Sequence, residues 1–173
     1  MQDTCAERII RGRRSIRRFK GKQVPLDILL RLIDAARWAP SSKNRQPWEF
    51  IVVRDREKIE AIARIKGEEW IVGASAIIVG VSDPMRSPVY HMSDTAMAMH
   101  NMELLAHEIG LGTCWIGIYE NDKVKRMLKI PKNKILVGAI AVGFPDERPP
   151  PRPRRSVEEI VFLEEYGRKI RND

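Results

Sequence analysis

The sequence predicts an α+β sandwich built as one domain. Three observations carry this. The chain has 173 residues, 43% hydrophobic and 31% charged, which suits a single soluble domain that buries its own core. Segments with the apolar period of a helix are interleaved with short apolar runs of strand type, without the regular strand–helix repeat of a doubly wound sheet. No segment repeats, and nothing indicates a second core.

Each element has a local reason. Asp3–Arg11 reads as a first helix, with Ile9 and Ile10 apolar and Gly12 as its stop. Pro25 opens a second, whose Leu26, Leu29, Leu30, Ile33 and Ala36 share one face and which ends before Pro40. Ser41–Pro47 is a polar loop, and Phe50–Val53 a short strand. Asp55 caps a helix with Ile59, Ile62 and Ile65 on its inner face, and Ala76–Val81 is a buried strand. Ser93–Ile109, free of Gly and Pro and rich in Ala, Met and Leu, is a central helix stopped by Gly110. Cys114–Ile118 is a strand, Asp122–Leu128 a short helix and Ile135–Phe144 a second buried strand. Five of the nine residues from Pro145 to Pro153 are proline, so this stretch runs extended over the surface. Val157–Lys169 reads as an amphipathic segment or a last edge strand.

Composition narrows the setting. The longest apolar runs, Ile71–Val81 and Ile135–Phe144, hold 11 and 10 residues, far short of the roughly 20 that span a bilayer. Cys5 and Cys114 form no paired-cysteine motif, so a reducing cytoplasm with no membrane partner is the expectation. The net charge is +8. Its placement is uneven: residues 8–22 carry eight basic side chains and no acid, and Arg152, Arg154 and Arg155 add three. Outside those two stretches 20 basic residues face 23 acidic ones. The clusters either converge on one compact anion or are two solvated tails. A nucleic-acid module using the Arg8–Lys22 stripe is the rival from another class. That stripe contains Gly12 and Gly21 and abuts Pro25, so it offers no helix to enter a groove, and no nucleic-acid partner is expected.

No nucleophile elbow, phosphate-binding P-loop or zinc-protease motif occurs. His91, His100 and His107 lie in or beside the central helix and read as packing or surface groups, so no metal is expected. Gly110-Leu-Gly112-Thr-Cys-Trp115 lacks the third glycine of a dinucleotide fingerprint and follows a helix, not a strand. With no catalytic side chain in view, catalysis would rest on a bound cofactor.

Three constellations remain. Arg13-Arg14-Ser15-Ile16-Arg17-Arg18 offers guanidinium forks and a hydroxyl to a terminal phosphate. Pro40-Ser-Ser-Lys-Asn-Arg-Gln46-Pro47-Trp48 sets short polar side chains between two prolines, suited to the rim of a heteroaromatic ring. Gly110-Leu-Gly-Thr-Cys-Trp115-Ile116-Gly117 lets a backbone approach a flat ligand closely. Taken singly they are equally a solvated basic turn, a helix-ending loop and tight packing of a helix on a strand.

In this order and spacing, with Gly143-Phe-Pro and Arg152-Pro-Arg-Arg-Ser-Val-Glu-Glu-Ile-Val closing the chain, they resemble the flavin-dependent nitroreductase family over nearly the whole length. The resemblance implies a three-layer sandwich with a mixed, mainly antiparallel sheet flanked by helices. It implies one FMN-binding domain over 1–173, with 145–173 an extended arm packed on the partner subunit, and a homodimer holding FMN at its interface. Carried over position by position, Arg13, Ser15, Arg152 and Arg154 would hold the FMN phosphate, with Arg14 a neighbouring contact. Arg17 would lie near flavin N1 and O2. Pro40, Ser41, Ser42, Asn44 and Gln46 would reach the flavin from the partner, and Trp115, Ile116 and Gly117 would run under the ring, the Gly117 N–H near N5. No equivalent of the family's Asn and Lys at the pyrimidine edge is evident between Val53 and Ile71. The implied activity passes two electrons from NAD(P)H to a nitroaromatic, quinone or other small flat acceptor in a ping-pong cycle. Alternatives within the same family are dehalogenation, flavin cleavage, or a flavin carrier or sensor without turnover.

Overall fold

The computed structural model describes residues 3–170. Helix α1 (Cys5–Gly12) begins two residues later than the sequence suggests. Thr4 and Glu7 form a reciprocal capping box there, in which Thr4 N donates to Glu7 Oε2 at 2.8 Å. Helix α2 (Leu26–Ala36) follows Pro25, and a 3-10 turn at Ser42–Asn44 leads into β1 (Trp48–Val53). Asp55 caps α3 (Arg56–Lys66), whose last turn closes on Gly67 at φ 74°, a left-handed conformation that suits glycine. A 3-10 turn (Glu69–Gly73), unforeseen in the sequence, precedes β2 (Ala76–Ser82). The central helix α4 (His91–Glu108) starts two residues earlier than expected. Strand β3 (Gly112–Ile116), α5 (Asp122–Met127) and β4 (Ile135–Gly143) follow. The tail forms no strand among the described residues. It makes a single helical turn, α6 (Val157–Ile160), with its own capping box between Ser156 and Glu159.

The four strands stand in the order β1-β2-β4-β3, and every ladder among them is antiparallel. The parallel component reduces to one bridge between Ser15 and Thr113. Strand β2 is buried at every position and β4 at all but its first residue, so their side chains alternate between two covered faces. Ile78 and Ile140 pack with Leu29 and Leu32 of α2 and with Met99 and Met102 of α4. Ile77, Val79 and Ala139 pack with Ile59 and Ile62 of α3 and Val124 of α5. The result is three layers, with α2 and α4 over one face of the sheet and α3 and α5 over the other. Ile140 is fully buried at its centre, where truncation to Ala would cost about 2–5 kcal/mol.

Candidate functional site

After α1 the chain runs extended along β3. Ile16 N donates to Thr113 O at 2.9 Å, beside the Ser15–Thr113 bridge. A Cβ on Gly112 would fall 2.9 Å from the Ile16 side chain, so the glycine is what admits this segment onto the strand. The chain then pairs antiparallel with the residues that leave β4. Lys20 N donates to Phe144 O at 3.0 Å, Asp146 N to Arg18 O at 2.9 Å, and Phe19 bridges Pro145. This pairing carries the second basic cluster back to the first.

The side chains of Arg13, Arg14, Ser15, Arg17, Arg152 and Arg154 line one cavity of about 270 Å³. Of the two arrangements open to the charge clusters, the convergent one is observed. The arginines are held from behind. Arg13 Nη1 lies 3.7 Å from Oε1 of Glu103 on α4, whose side chain is only 8% exposed, and the other Glu103 oxygen stands 3.1 Å from His100 Nδ1. Arg14 Nη1 donates to the carbonyls of Arg11 (2.6 Å) and Arg13 (2.9 Å). Glu147 also lines the cavity, its carboxylate accepting from Arg17 N at 2.5 Å and Arg18 N at 3.1 Å. Five arginines against Glu147 on the lining and Glu103 behind Arg13 leave a surplus of positive charge for an anion with several acceptor oxygens.

The polar loop is held at another place. Asp94, buried in the first turn of α4, accepts from Ser42 N at 3.2 Å and from Ser87 Oγ at 3.4 Å. Ser41 Oγ accepts from Gln46 N at 3.0 Å. Lys43, Asn44 and Gln46 have positive φ (51°, 54° and 48°), so the loop has a defined, tightly turned shape. Pro40, Asn44 and Gln46 are exposed. Asp94 and Glu103 sit nine residues apart on α4, about 13 Å along its axis. One chain therefore does not bring Pro40, Ser41, Ser42, Asn44 or Gln46 to the arginine cavity.

Strand β3 starts two residues earlier than expected, so Trp115 and Ile116 end it and Gly117 lies just beyond. Ile116 is buried on the α3 face, whereas Trp115 is 37% exposed and lays its indole over Gly138 of β4. Gly117 is exposed, and a Cβ there would stand 4.0 Å from Lys66 Nζ. Lys66 Nζ lies 3.6 Å from Glu68 Oε1, Trp70 Nε1 donates to Glu68 Oε2 at 2.5 Å, and the Arg17 guanidinium sits 5.7 Å over the Trp70 ring. Thus Lys66, Glu68 and Trp70, unassigned in the sequence, connect Arg17 to Gly117. The alternation Lys66-Gly67-Glu68-x-Trp70, which spans the glycine that ends α3, was the available signal. The thiol of Cys114 is pushed up by burial, which outweighs the opposing pull of Arg17, so it is protonated and inert at neutral pH. His107 packs on Gly12, and burial lowers its pKa, leaving a neutral ring at pH 7. Among the described residues no cluster of His, Cys, Asp and Glu could hold a metal, and no helix is long and apolar enough to cross a membrane.

Comparison with known proteins identifies the family and the fold. The model of the nitroreductase family matches residues 10–77 and 66–144. A protein of Methanothermobacter thermautotrophicus named as an NADH dehydrogenase/NAD(P)H nitroreductase is 35% identical over 147 residues, covering 81% of this chain and 77% of that one. An FMN-dependent nitroreductase of Clostridium difficile superposes with a TM-score of 0.81 at 30% identity, over 91% of this chain and 98% of that one. A Desulfovibrio desulfuricans protein solved in complex with FMN superposes with a TM-score of 0.86 at 30% identity, over 95% of this chain and 98% of that one. Matched from the end of its first helix to the end of its last strand, and sharing the fold of these proteins almost end to end, the chain belongs to the nitroreductase family.

Proposed function

We propose that this chain is an FMN-dependent oxidoreductase that takes electrons from NAD(P)H. One observation carries the proposal: Arg13, Ser15, Arg152 and Arg154, from opposite ends of the sequence, line a single cavity. That donor set fits the phosphate of FMN, which offers a dianion and three acceptor oxygens, and would leave riboflavin underbound. When bound, FMN would supply the two-electron chemistry between NAD(P)H and a nitroaromatic, quinone or similar flat acceptor, the two taking turns at one place in a ping-pong cycle.

The chain's own part is binding, orientation and electrostatics. Arg13, Ser15, Arg152 and Arg154 hold the phosphate, with Arg13 kept in direction by Glu103. Arg17 and Lys66, bound to one another through Trp70 and Glu68, bring two cations toward the ring, where positive charge favours the reduced, anionic flavin. Lys66 fills the role for which no candidate was evident between Val53 and Ile71. The backbone N–H of Gly117, an exposed residue just beyond β3, would face the flavin, and no side-chain acid is required of the site.

The pocket is completed by a second copy of the chain. The Ser41–Gln46 loop lies about 13 Å along α4 from the arginine anchor, so it serves a partner's cavity. Around the start of α4, Val89, Tyr90, Met92 and Tyr119 are exposed, with Tyr119 Oη 3.8 Å from Met92 Sδ. An apolar patch of this kind marks an association surface. The arm over 145–173 would pack on that partner, since Val157, Ile160, Leu163 and Tyr166 find no core of their own.

The purified protein should be yellow and release FMN on denaturation. Arg154→Ala should weaken FMN binding by about 1.5–3 kcal/mol, the scale of a lost charged hydrogen bond, and riboflavin binding far less. NAD(P)H consumption with a nitroaromatic or quinone acceptor separates an enzyme from a carrier. A colourless protein that takes up no FMN, or equal losses for both flavins, would refute the assignment.

A further inference from the structure

We infer that Glu147 is the positioning residue of the phosphate site, the carboxylate that fastens the C-terminal arm to the arginine segment so that Arg152 and Arg154 face Arg13 and Ser15. The inference rests on the phosphate reading above and assigns the means by which that site is assembled.

Glu147 looks misplaced by charge. It is the one acid lining a cavity that also holds five arginines, where a negative charge opposes any bound anion by simple Coulomb repulsion. Its hydrogen bonds explain its presence. The half-buried carboxylate accepts from two consecutive backbone amides, Arg17 N at 2.5 Å and Arg18 N at 3.1 Å. Those amides belong to the segment that pairs with residues 144–146, through Asp146 N to Arg18 O (2.9 Å), Lys20 N to Phe144 O (3.0 Å) and Arg18 Nε to Asp146 O (2.9 Å). Glu147 is therefore the last rung of a short antiparallel ladder, and it extends that ladder to the edge of the cavity.

Beyond it the arm has little else to fix its course. Four of the next six residues are proline, which donate no backbone hydrogen bond. Residues 151–160 are all exposed. The fixed φ of the prolines keeps the strand stiff, so an anchor at Glu147 sets where Arg152 and Arg154 arrive a few residues later. A neutral acceptor would fasten the ladder equally well without repelling the phosphate, whereas no acceptor at all would free the arm. The two consequences of the carboxylate, repulsion and tethering, are thus separable by substitution.

The test compares Glu147→Gln with Glu147→Ala in the full chain. The amide oxygen of glutamine still accepts from both backbone N–H groups but carries no charge; alanine removes acceptor and charge together. Dissociation constants for FMN and riboflavin are measured by flavin fluorescence, and exchange at the Arg17 and Arg18 amides is followed in the flavin-free protein. Glu147→Gln should bind FMN as tightly as the unsubstituted chain or more tightly, with both amides still protected. Glu147→Ala should bind FMN at least tenfold more weakly than Glu147→Gln, leave riboflavin binding within about twofold, and expose both amides to faster exchange. Equal FMN affinity in the two variants overturns the inference, as do parallel losses for FMN and riboflavin, which would signal general destabilisation. Unchanged amide exchange in Glu147→Ala overturns the tether whatever the flavin result. An unsubstituted chain that binds FMN no better than riboflavin would instead refute the phosphate reading, and the exchange measurement then decides the tether by itself.

Discussion

Placing a methyl group on Gly138 should displace Trp115 and with it the floor of the proposed flavin site. A Cβ built there lies 2.7 Å from Trp115 Cζ2 and 3.0 Å from Cε2, where ordinary contact begins at 3.4 Å. The indole must retreat by about 0.7 Å, the difference between the closest approach and that limit. Being 37% exposed, the ring can swing outward instead of disrupting the core, which puts the cost near the lower end of the overpacking range, about 1–2 kcal/mol. For a domain of this size that is a melting temperature lower by roughly 2–8 °C. The assay is a double-mutant cycle: Gly138→Ala, Trp115→Leu and the pair, each followed by thermal unfolding and FMN titration. In the Trp115→Leu background the methyl group meets no indole, and its penalty should shrink by about 1 kcal/mol, a coupling typical of residues in contact. The same penalty in both backgrounds would show that the glycine is not there to admit the tryptophan.

Two further outcomes follow from other contacts. Lys134 Nζ lies 2.9 Å from Asp83 and 2.7 Å from Glu49, fastening the start of β4 to the start of β1 and the end of β2. Lys134→Met should lower stability at pH 7 by about 1–3 kcal/mol in urea unfolding. The hydrogen bond from Lys134 holds the Asp83 carboxyl below the usual carboxylate range, and the hydrogen bonds that Lys134 donates to Glu49 and Asp83 hold its ammonium above the usual lysine range. The Asp83 contribution is present above the ordinary aspartate pKa and is lost as pH falls through the depressed folded value. The Lys134 contribution is present below the ordinary lysine pKa and is lost as pH rises through the elevated folded value. The stability gap between Lys134→Met and the unsubstituted chain should therefore be widest near neutrality and close at both extremes; a gap independent of pH would refute the ion-pair account. The protein should sediment as a dimer whose dissociation and flavin loss occur together across a dilution series, because the Ser41–Gln46 loop and the arginine cavity of one chain stand apart. A monomer that keeps FMN at sub-micromolar concentration would show that one chain builds the whole site.

What was legible in the sequence was what depends on near neighbours. The apolar period of α2 and the continuous runs of β2 and β4 report burial directly, and capping residues such as Asp55 mark their own helix ends. The arginine and serine positions could be named, but charge alone left open whether the clusters meet. The meeting depends on the pairing of Arg18 with Asp146, 128 positions away. Strand β3 was placed two residues late for a similar reason. Gly110 reads locally as a helix stop and the strand is expected from Cys114, whereas Gly112 is drawn into the sheet opposite Gly143 and under Ile16. Glu103 and Glu147 left no trace in local pattern. Each is an ordinary charged residue whose partners, Arg13 for Glu103 and the Arg17 and Arg18 amides for Glu147, are fixed by the fold and follow no sequence period.

The tail beyond Arg154 has a shape of its own although it touches almost nothing. Ser156 and Glu159 cap its helical turn, Phe162 and Tyr166 pack with their rings tilted at 45° and their centres 4.6 Å apart, and Lys169 Nζ reaches back to the carbonyls of Glu158 and Glu159 at 2.8 and 3.1 Å. Fixing a free backbone costs about 1–2 kcal/mol for each residue, a charge that a floppy tail of this length would have to meet at the moment of docking. A segment already bent into a hook has settled most of that conformational entropy within its own chain. Its association with a partner would then be preorganised, closer to the seating of a finished part than to folding upon contact.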